Sequence, residues 1–251
     1  MFNAKLMNSK TFKDIVKALK LVNEATFKVT ADRIILSEMD AAKVAIVELD
    51  LPSSAFDSYS CDEDISFKVD IGALLAIVKR IKSDDIVTMM LKDNSLKIKL
   101  QGKVARTFSI LVEEPDSVKL RESNIQYTAE IKLLPDLLKD AIKDVTLVSE
   151  YTEFYADKTH FLIQASSHIG INEAQIELLQ DAESILDYNV SEVSKAIYAI
   201  NYLKDMLDIA GSADLLTLSF ATNNPLRLEY MLPGYGIVRY YLAPKREDDM
   251  L

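Results

Sequence analysis

An amphipathic stretch of thirteen residues occurs twice in this chain, and the repeat constrains the fold more than any other feature of the sequence. The first copy, at 12–24, reads FKDIVKALKLVNE, and the second, at 138–150, reads LKDAIKDVTLVSE. Six of the thirteen positions are identical, and the alignment needs no gap. Since the offset of 126 positions is half of the 251 residues, we expect one domain to be present twice.

The first copy has the periodicity of a helix that lies on an apolar core. At about 100° per residue its apolar side chains fall within one third of a turn. These side chains are Phe12, Ile15, Val16, Leu19 and Val22. Ser9 is the predicted N-cap. A second helix is predicted at 71–81 and its counterpart at 193–209, since the segments that follow them match at an offset of 129.

Alternating apolar and polar residues predict short strands around these helices. The strands of the first half are predicted at 2–7, within 26–51, and at 65–69, 86–91, 96–100 and 104–112. Those of the second half are predicted at 127–132, 153–155, 160–165, 174–179, 226–232 and 237–242. Each half therefore has two helices against one face of an antiparallel sheet, which is an α+β fold.

The domain boundaries follow from a break in this pattern. The segment EEPDSVKLRESNI at 113–125 has no sustained period and contains a proline, which is typical of a surface linker. We predict an N-terminal domain at 1–112, a connector at 113–126, a C-terminal domain at 127–246 and an acidic flexible tail at 247–251.

Composition narrows the class of protein. Apolar residues make up 49% and charged residues 27% of the chain, as in a soluble globular protein. The sequence has no apolar run of the roughly 20 residues that would span a bilayer, and its start, MFNAKLMNSK, lacks the apolar core of a signal peptide. A single cysteine fits a reducing compartment, so we expect the protein inside the cell.

Catalytic and metal-binding groupings are not evident. His160 and His168 are the only histidines, and neither has a second histidine or a cysteine at metal-ligand spacing. Cys61 has no histidine near it in the sequence, so we interpret it as a buried, unreactive thiol. The sequence also lacks a glycine-rich phosphate loop and a nucleophile elbow. We predict no catalytic residue, no metal and no cofactor.

Segregated positive charge is the one positive signal. Residues 10–20 hold four lysines and one aspartate, a net charge of +3 in a protein of formal charge −10. The second half repeats this only in part, because Lys10 and Lys20 correspond to Asp136 and Thr146. Lysines on helices, without interleaved aromatic residues, indicate weak, sequence-independent contact with a duplex backbone. The predicted DNA contacts are Lys10, Lys13, Lys17, Lys20, Lys79, Arg80, Lys82, Lys139, Lys143 and Lys204.

Several segments resemble a known family. They are LVNEATFKV at 21–29, SEMDAAKVAIVEL at 37–49, FDSYSCD at 56–62, PLRLEY at 225–230 and YYLAPKRED at 240–248. Together they resemble the sliding clamp of archaea and eukaryotes, the proliferating cell nuclear antigen family, and the likeness runs from Phe2 to about Asp248.

The resemblance implies the assembly and the function. It implies a trimeric ring, with sheets outside and two helices per domain on the inner face around double-stranded DNA. The ring would be a non-catalytic processivity factor in DNA replication and DNA repair that tethers DNA polymerase, flap endonuclease, DNA ligase and the clamp loader. Its location would be the cytoplasm or nucleoid of an archaeon, or the nucleus of a eukaryote. Homotrimers and heterotrimers both occur in the family, and the sequence fits either.

The family also implies two surfaces used by protein partners. Subunits join through edge strands, which map to 103–111 and to 173–179 of the next chain. A groove for partner peptides maps to Met39, Val44, Ile46, Leu120, Pro225, Tyr241, Leu242, Ala243 and Pro244. Glu122 and Arg246 depart from the apolar residues common at these positions in the family, and they make the groove rim more polar.

Two alternative functions remain open from the sequence. One is a specialised checkpoint-type clamp of the same fold, used in damage signalling. The other, from a different class, is a metal-dependent hydrolase with a duplicated domain, because acidic residues are plentiful.

Overall fold

The structure is a computed structural model, and it describes residues 1–115, 125–167 and 172–245. The chain divides into two compact units. The first consists of Met1–Arg121 with Met231–Val238, and the second of Glu122–Tyr230 with Arg239–Leu251.

The two halves of the chain share one order of elements, and the predicted duplication is confirmed. The first half runs β1 (Phe2–Leu6), α1 (Ser9–Ala18), β2 (Glu24–Val29), β3 (Arg33–Met39), β4 (Ala45–Pro52), β5 (Ser58–Cys61), β6 (Ile65–Asp70), α2 (Ile71–Val78), β7 (Ile86–Lys92), β8 (Ser95–Gln101) and β9 (Ala105–Leu111). The second half runs β10 (Ala129–Leu133), α3 (Pro135–Val145), β11 (Tyr151–Ala156), β12 (His160–Ser166), β13 (Glu173–Leu179), β14 (Ile185–Val190), β15 (Ser194–Ala199), α4 (Ile200–Met206), β16 (Leu215–Phe220), β17 (Leu226–Leu232) and β18 (Gly236–Leu242).

The sheets are antiparallel, as expected for an α+β fold. In the first unit β5, β1, β7, β8 and β9 form a five-stranded sheet in that order, and β4, β3, β2 and β6 lie side by side. In the second half β13, β12, β11 and β15 form a four-stranded sheet, while β14, β10, β16, β17 and β18 are neighbours in that order. The strands β9 and β13 are therefore both sheet edges.

The helices cover apolar cores. In the first unit α1 packs against α2, and Phe12, Phe67 and Leu74 line a small apolar cavity of about 40 Å³ between helices and strands. In the second unit the ring of Phe154 contacts those of Phe161, Tyr198 and Phe220 at centroid distances of 5.5, 5.4 and 6.1 Å. Edge-on aromatic contacts of this kind add to the free energy of apolar burial.

The first helix differs from its predicted limits at both ends. Its N-cap is Asn8 and not Ser9, because the Asn8 side chain accepts hydrogen bonds from the backbone N–H groups of Lys10 and Thr11 at 3.0 and 3.3 Å. The helix ends at Ala18, after which tighter hydrogen bonds such as Lys20 N to Lys17 O at 3.0 Å close the last turn. Val22 is still buried, so the predicted apolar stripe extends past the helix.

The fourth helix was predicted too long, and the strands β5, β14, β15 and β16 were not predicted as strands. Residues 194–199 form β15, whose buried side chains alternate as Ser194, Ala196 and Tyr198, and the helix begins only at Ile200. The strands β5 and β14 were not predicted, since both lie at sheet edges and bury no complete face. An edge strand without a buried face gives no clear alternation of apolar residues.

One hairpin turn belongs to the first unit although it lies in the predicted C-terminal domain. Gly234, between β17 and β18, accepts a hydrogen bond on its carbonyl from the Ser54 hydroxyl at 2.9 Å. Its φ of +76° suits glycine, and a Cβ there would lie 2.6 Å from the Cα of Ala55. The connector at 113–126 and the tail at 247–251 remain predictions, because 116–124 and 246–251 lie outside the described residues.

A buried carboxylate fixes the loop that follows α2. Asp85 is 1% exposed and accepts hydrogen bonds from the backbone N–H of Lys82 at 2.7 Å and from the Arg106 guanidinium. Arg106, on β9, also donates to the carbonyl of Arg80 at 2.8 Å. Burial disfavours the charged carboxylate, but the Lys82 and Arg106 hydrogen bonds outweigh burial, and the pKa of Asp85 lies below its ordinary value.

We predict that Asp85→Asn lowers the free energy of unfolding at pH 7 by about 3 kcal/mol, because it removes the buried carboxylate that pairs with the half-buried Arg106 guanidinium. Since the folded-state pKa of Asp85 is lowered, its contribution is complete above about pH 4 and is lost as pH falls through the folded-state value. Urea unfolding of both proteins between pH 7 and pH 3 should show their difference shrinking below about pH 4. Asp84→Asn, at an exposed neighbour, is the control and should stay within about 0.5 kcal/mol of the wild type. A difference for Asp85→Asn that is independent of pH would contradict this account.

Candidate nucleic-acid interface

The first helix separates its apolar and basic residues onto different faces. Phe12, Ile15 and Val16 are buried, whereas Lys10 is exposed and Lys13 and Lys17 are half-exposed. Lys20, also half-exposed, follows the end of the helix. The apolar stripe therefore holds α1 on the core and leaves the lysine side chains at the surface.

One acidic residue lies among these lysines. Asp14 is 7% exposed, and its two carboxylate oxygens lie 3.1 Å from the Lys10 ammonium and 3.5 Å from the Lys17 ammonium. The two ion pairs of Asp14 were not predicted from the sequence. Its position four residues after Lys10 and three before Lys17 is the helical spacing of ion pairs, so the pairing could have been predicted.

The second basic group lies in the loop behind α2. Lys79, Arg80 and Lys82 are all exposed and follow the last helical residue, Val78. The Ser9 hydroxyl donates to the Lys82 carbonyl at 3.0 Å, which places this loop beside the first turn of α1. The loop that carries Lys82 therefore lies beside the start of the helix that carries Lys10, Lys13 and Lys17.

The helices of the second unit carry less positive charge. Lys139 and Lys143 lie on α3 with three aspartates, Asp136, Asp140 and Asp144. Lys143 forms an exposed ion pair with Asp140 at 2.7 Å. Lys204, on α4, is exposed and has Asp205 as its neighbour in sequence. The predicted inequality between the halves is therefore present on the helices themselves.

The groove residues of the first unit surround one turn. Met39 ends β3 and is 37% exposed, while Val44 and Ile46 are half-buried at the start of β4. The side chain of buried Asp40 accepts hydrogen bonds from the backbone N–H groups of Val44 and Ala45, both at 2.7 Å. These bonds fix the turn between the strands and so the positions of the three apolar side chains.

The groove residues of the second unit require one correction. Pro225, Tyr241, Ala243 and Pro244 are half-buried, as surface residues of a groove can be. Leu242 is 0% exposed, so its side chain belongs to the core and cannot line an open groove. Leu120 lies outside the described residues, as do Glu122 and Arg246.

Both edge strands mapped to the subunit joint have exposed apolar side chains. On β9 Leu111 is 74% exposed, and on β13 Leu179 is 53% exposed. Since β9 and β13 are terminal strands of their sheets, each presents unpaired backbone groups on one side.

Of the three catalytic candidates, His160 and Cys61 have structural partners. The Nδ1 atom of His160 lies 3.2 Å from a carboxylate oxygen of Asp157. Hydrogen bonds from the backbone and hydroxyl of Thr159 lower the pKa of Asp157 to about 2. The half-buried thiol of Cys61 lies 3.0 Å from the Glu63 carbonyl oxygen. His168 lies outside the described residues.

The described ranges hold neither a cluster of metal ligands nor a membrane-spanning helix. In 1–115, 125–167 and 172–245, no three histidine, cysteine, aspartate or glutamate side chains form a group that could hold a metal ion. In the same residues, no helix combines the length and the apolar character needed to cross a membrane.

Known proteins match the chain along nearly its whole length. The family model of the proliferating cell nuclear antigen N-terminal domain matches residues 1–112, and that of the C-terminal domain matches residues 121–245. A DNA polymerase sliding clamp of Pyrococcus horikoshii is 33% identical over 244 residues, which is 96% of either chain. That of Pyrococcus furiosus is 36% identical over 234 residues, or 92% of either chain.

Solved structures agree with these sequence matches. The crystal structure of PCNA from Thermococcus kodakaraensis superposes with a TM-score of 0.91 at 25% identity and covers 98% of this chain and 100% of that one. The PCNA2–PCNA3 complex from Sulfolobus tokodaii has the same fold, with a TM-score of 0.90, 20% identity and coverage of 97% and 99%. The two family models together span both halves of the molecule, and the chain belongs to the proliferating cell nuclear antigen family.

Proposed function

We propose that this chain, with two further clamp chains, closes into a ring around duplex DNA and tethers replication and repair enzymes to it. The chain is a sliding clamp of its family and thus a processivity factor. The observation that carries the proposal is the division of α1 into a buried apolar stripe and a surface row of lysines. This lysine row consists of Lys10, Lys13 and Lys17 on the helix and Lys20 just after it. We propose no catalytic role for it.

Contact with DNA would be weak by design. Within the described part of the chain, the proposed contacts are surface cations with no side chains beside them that would read bases in a groove, which suits phosphate contact independent of base sequence. They include Lys10, Lys13, Lys17, Arg80 and Lys82. A closed ring retains DNA by topology, so each phosphate contact can break and re-form as the ring moves. Lys20, Lys79, Lys139, Lys143 and Lys204 complete the proposed set of DNA contacts.

Ring closure would use the two terminal strands. Pairing of β9 with β13 of the next chain would satisfy the free backbone groups of both edges and cover Leu111 and Leu179. Each chain has one β9 edge and one β13 edge, so the chains can pair head to tail. Such pairing forms a closed ring when the rotation from one chain to the next is a whole fraction of a full turn.

Partner enzymes would dock on the apolar groove. Met39, Val44, Ile46, Pro225, Tyr241, Ala243, Pro244 and Leu120 form the proposed set once Leu242 is assigned to the core. A short partner peptide with an aromatic pair would anchor a polymerase, a flap endonuclease, a ligase or the loader there. Tethering raises the effective concentration of the enzyme at the DNA without new chemistry. The curated relatives are archaeal proteins, and we place this chain on the DNA of the nucleoid.

Light scattering and primer extension test the proposal. We expect a mass of three chains, either alone or after mixing with related clamp chains, and longer products from a replicative DNA polymerase on primed circular DNA. A monomer under every mixture would contradict ring formation. A trimer that fails to stimulate the polymerase would favour the specialised damage-signalling clamp.

Charge reversal tests the lysine row. We expect the double variant Lys13→Glu, Lys20→Glu to bind a short DNA duplex at least about tenfold more weakly at about 50 mM salt, since two phosphate contacts become repulsive. The assembly mass should not change. Fluorescence anisotropy of a labelled duplex provides the measurement.

The matched control is Lys28→Glu, Lys92→Glu, which changes the charge equally at exposed positions on β2 and β7. Equal losses in the two double variants would show a general charge effect and would remove the lysine row from the DNA contacts.

Variants at two neighbouring residues test which side chain lines the groove and which belongs to the core. Ala243→Asp should weaken binding of an aromatic-pair peptide at least about tenfold, because a charge enters an apolar groove, and should leave the free energy of unfolding nearly unchanged. Leu242→Ala should instead lower the free energy of unfolding by about 2–5 kcal/mol. Isothermal calorimetry and urea unfolding provide the two measurements.

Ala182→Asp, at a half-buried position after β13, serves as the control for the added charge. Unchanged peptide binding by Ala243→Asp would rule out the proposed groove.

A further inference from the structure

The carboxylate of Asp14 has an unusual place for a protein that contacts phosphate. It lies on α1 within the lysine row, with 9% of its side chain exposed, while the Lys10 and Lys17 side chains are 59% and 44% exposed. Each of its oxygens faces a different ammonium group, at 3.1 and 3.5 Å. The shielded carboxylate of Asp14 therefore forms ion pairs with two surface lysines.

We propose that Asp14 is a built-in counter-charge, which competes with DNA phosphate for Lys10 and Lys17 and so keeps contact of α1 with the duplex weak. This inference rests on the proposed function, since it assumes that α1 meets DNA. The observation behind it is the position of one carboxylate between two lysines.

The chemistry of the two anions makes them competitors. A carboxylate and a phosphate accept the same charge-assisted hydrogen bonds from an ammonium group. Ion pairs of largely exposed lysines are weak, so a phosphate can take over either ammonium group. A lysine that binds a phosphate breaks its ion pair with Asp14, and the ion pair can form again when the DNA moves away.

Lys13 provides an internal comparison on the same helix. Among the residues that the structure describes, none forms an ion pair with the Lys13 ammonium. Lys13 should therefore engage phosphate without giving up an existing partner, whereas Lys10 and Lys17 engage it in exchange for Asp14.

The repeat supplies a second comparison. Asp140 occupies the position that corresponds to Asp14 at the offset of 126. It is 70% exposed, and within the described ranges it forms an ion pair with Lys143 only. Of the two repeat positions, only Asp14 is shielded and lies between two lysines.

Neutralising the carboxylate tests the inference. We expect Asp14→Asn to tighten binding of a labelled short duplex by the full-length protein about threefold to tenfold at about 50 mM salt. The plot of log affinity against log salt should steepen by about 0.9, the value for one further phosphate contact. Asp14→Glu, which keeps the charge, should stay near the wild type in both measurements.

The control has the same chemical change at another lysine–aspartate pair of the first unit. Asp93→Asn removes the partner of Lys97, 3.9 Å away at the β7–β8 turn, and changes the net charge equally. Asn suits the positive φ of 53° at this position. Weaker or unchanged binding by Asp14→Asn, or equal tightening by Asp93→Asn, would overturn the inference.

Lysine variants give a second test that does not need the Asp14 variant to fold. Lys13→Ala should lose more duplex affinity than Lys17→Ala, because only the Lys17 contact is opposed by Asp14. Equal losses would overturn the inference. The wild-type protein serves as the separate test of function: if it fails to bind the duplex at low salt, the proposed function and the inference that rests on it both fall.

Discussion

The attachment of α1 to its core by one apolar stripe is the constraint from which the rest of the account follows. Phe12, Ile15 and Val16 are buried and fix the rotation of the helix about its axis. Because that rotation is fixed, the lysines between them in sequence are held at the surface. The loop behind α2 is then tied to the start of α1 by the Ser9 hydroxyl and to β9 by Arg106. A basic surface thus arises from the packing of apolar residues elsewhere on the same elements.

Weak contact is a requirement of this arrangement. A protein that encloses its ligand has no need of high affinity, and a high affinity would slow its movement along DNA. The acidic chain as a whole, with a formal charge of −10, disfavours contact outside the basic surface. Within the basic surface, Asp14 weakens DNA contact further, because it forms ion pairs with Lys10 and Lys17, which could otherwise bind phosphate.

The sequence predicted those parts whose signals are local and periodic. The helical period located α1 and its repeat, and alternation located most strands. Alternation would also have excluded Leu242 from the groove, since it shares the buried face of β18 with Val238 and Tyr240. The structure was needed where the signal is weak or distant in the chain. The edge strands β5 and β14 bury no complete face, so alternation does not reveal them. The ion pair between Asp85 and Arg106 joins residues 21 positions apart and depends on the packing of β9, which the sequence pattern does not show.

The central claim is that the assembled ring encloses DNA and is held on it by this enclosure. The most direct test compares how long the protein stays on closed circular DNA and on the same DNA after it has been cut. The assembled protein would be loaded by a clamp loader onto closed circular DNA, washed at high salt to break phosphate contacts, and then treated with a nuclease that cuts the circle once. Our account predicts that the protein stays on the closed circle through the wash and leaves after the cut by sliding off the ends. Loss from the closed circle at high salt, or persistence on the cut DNA, would contradict it.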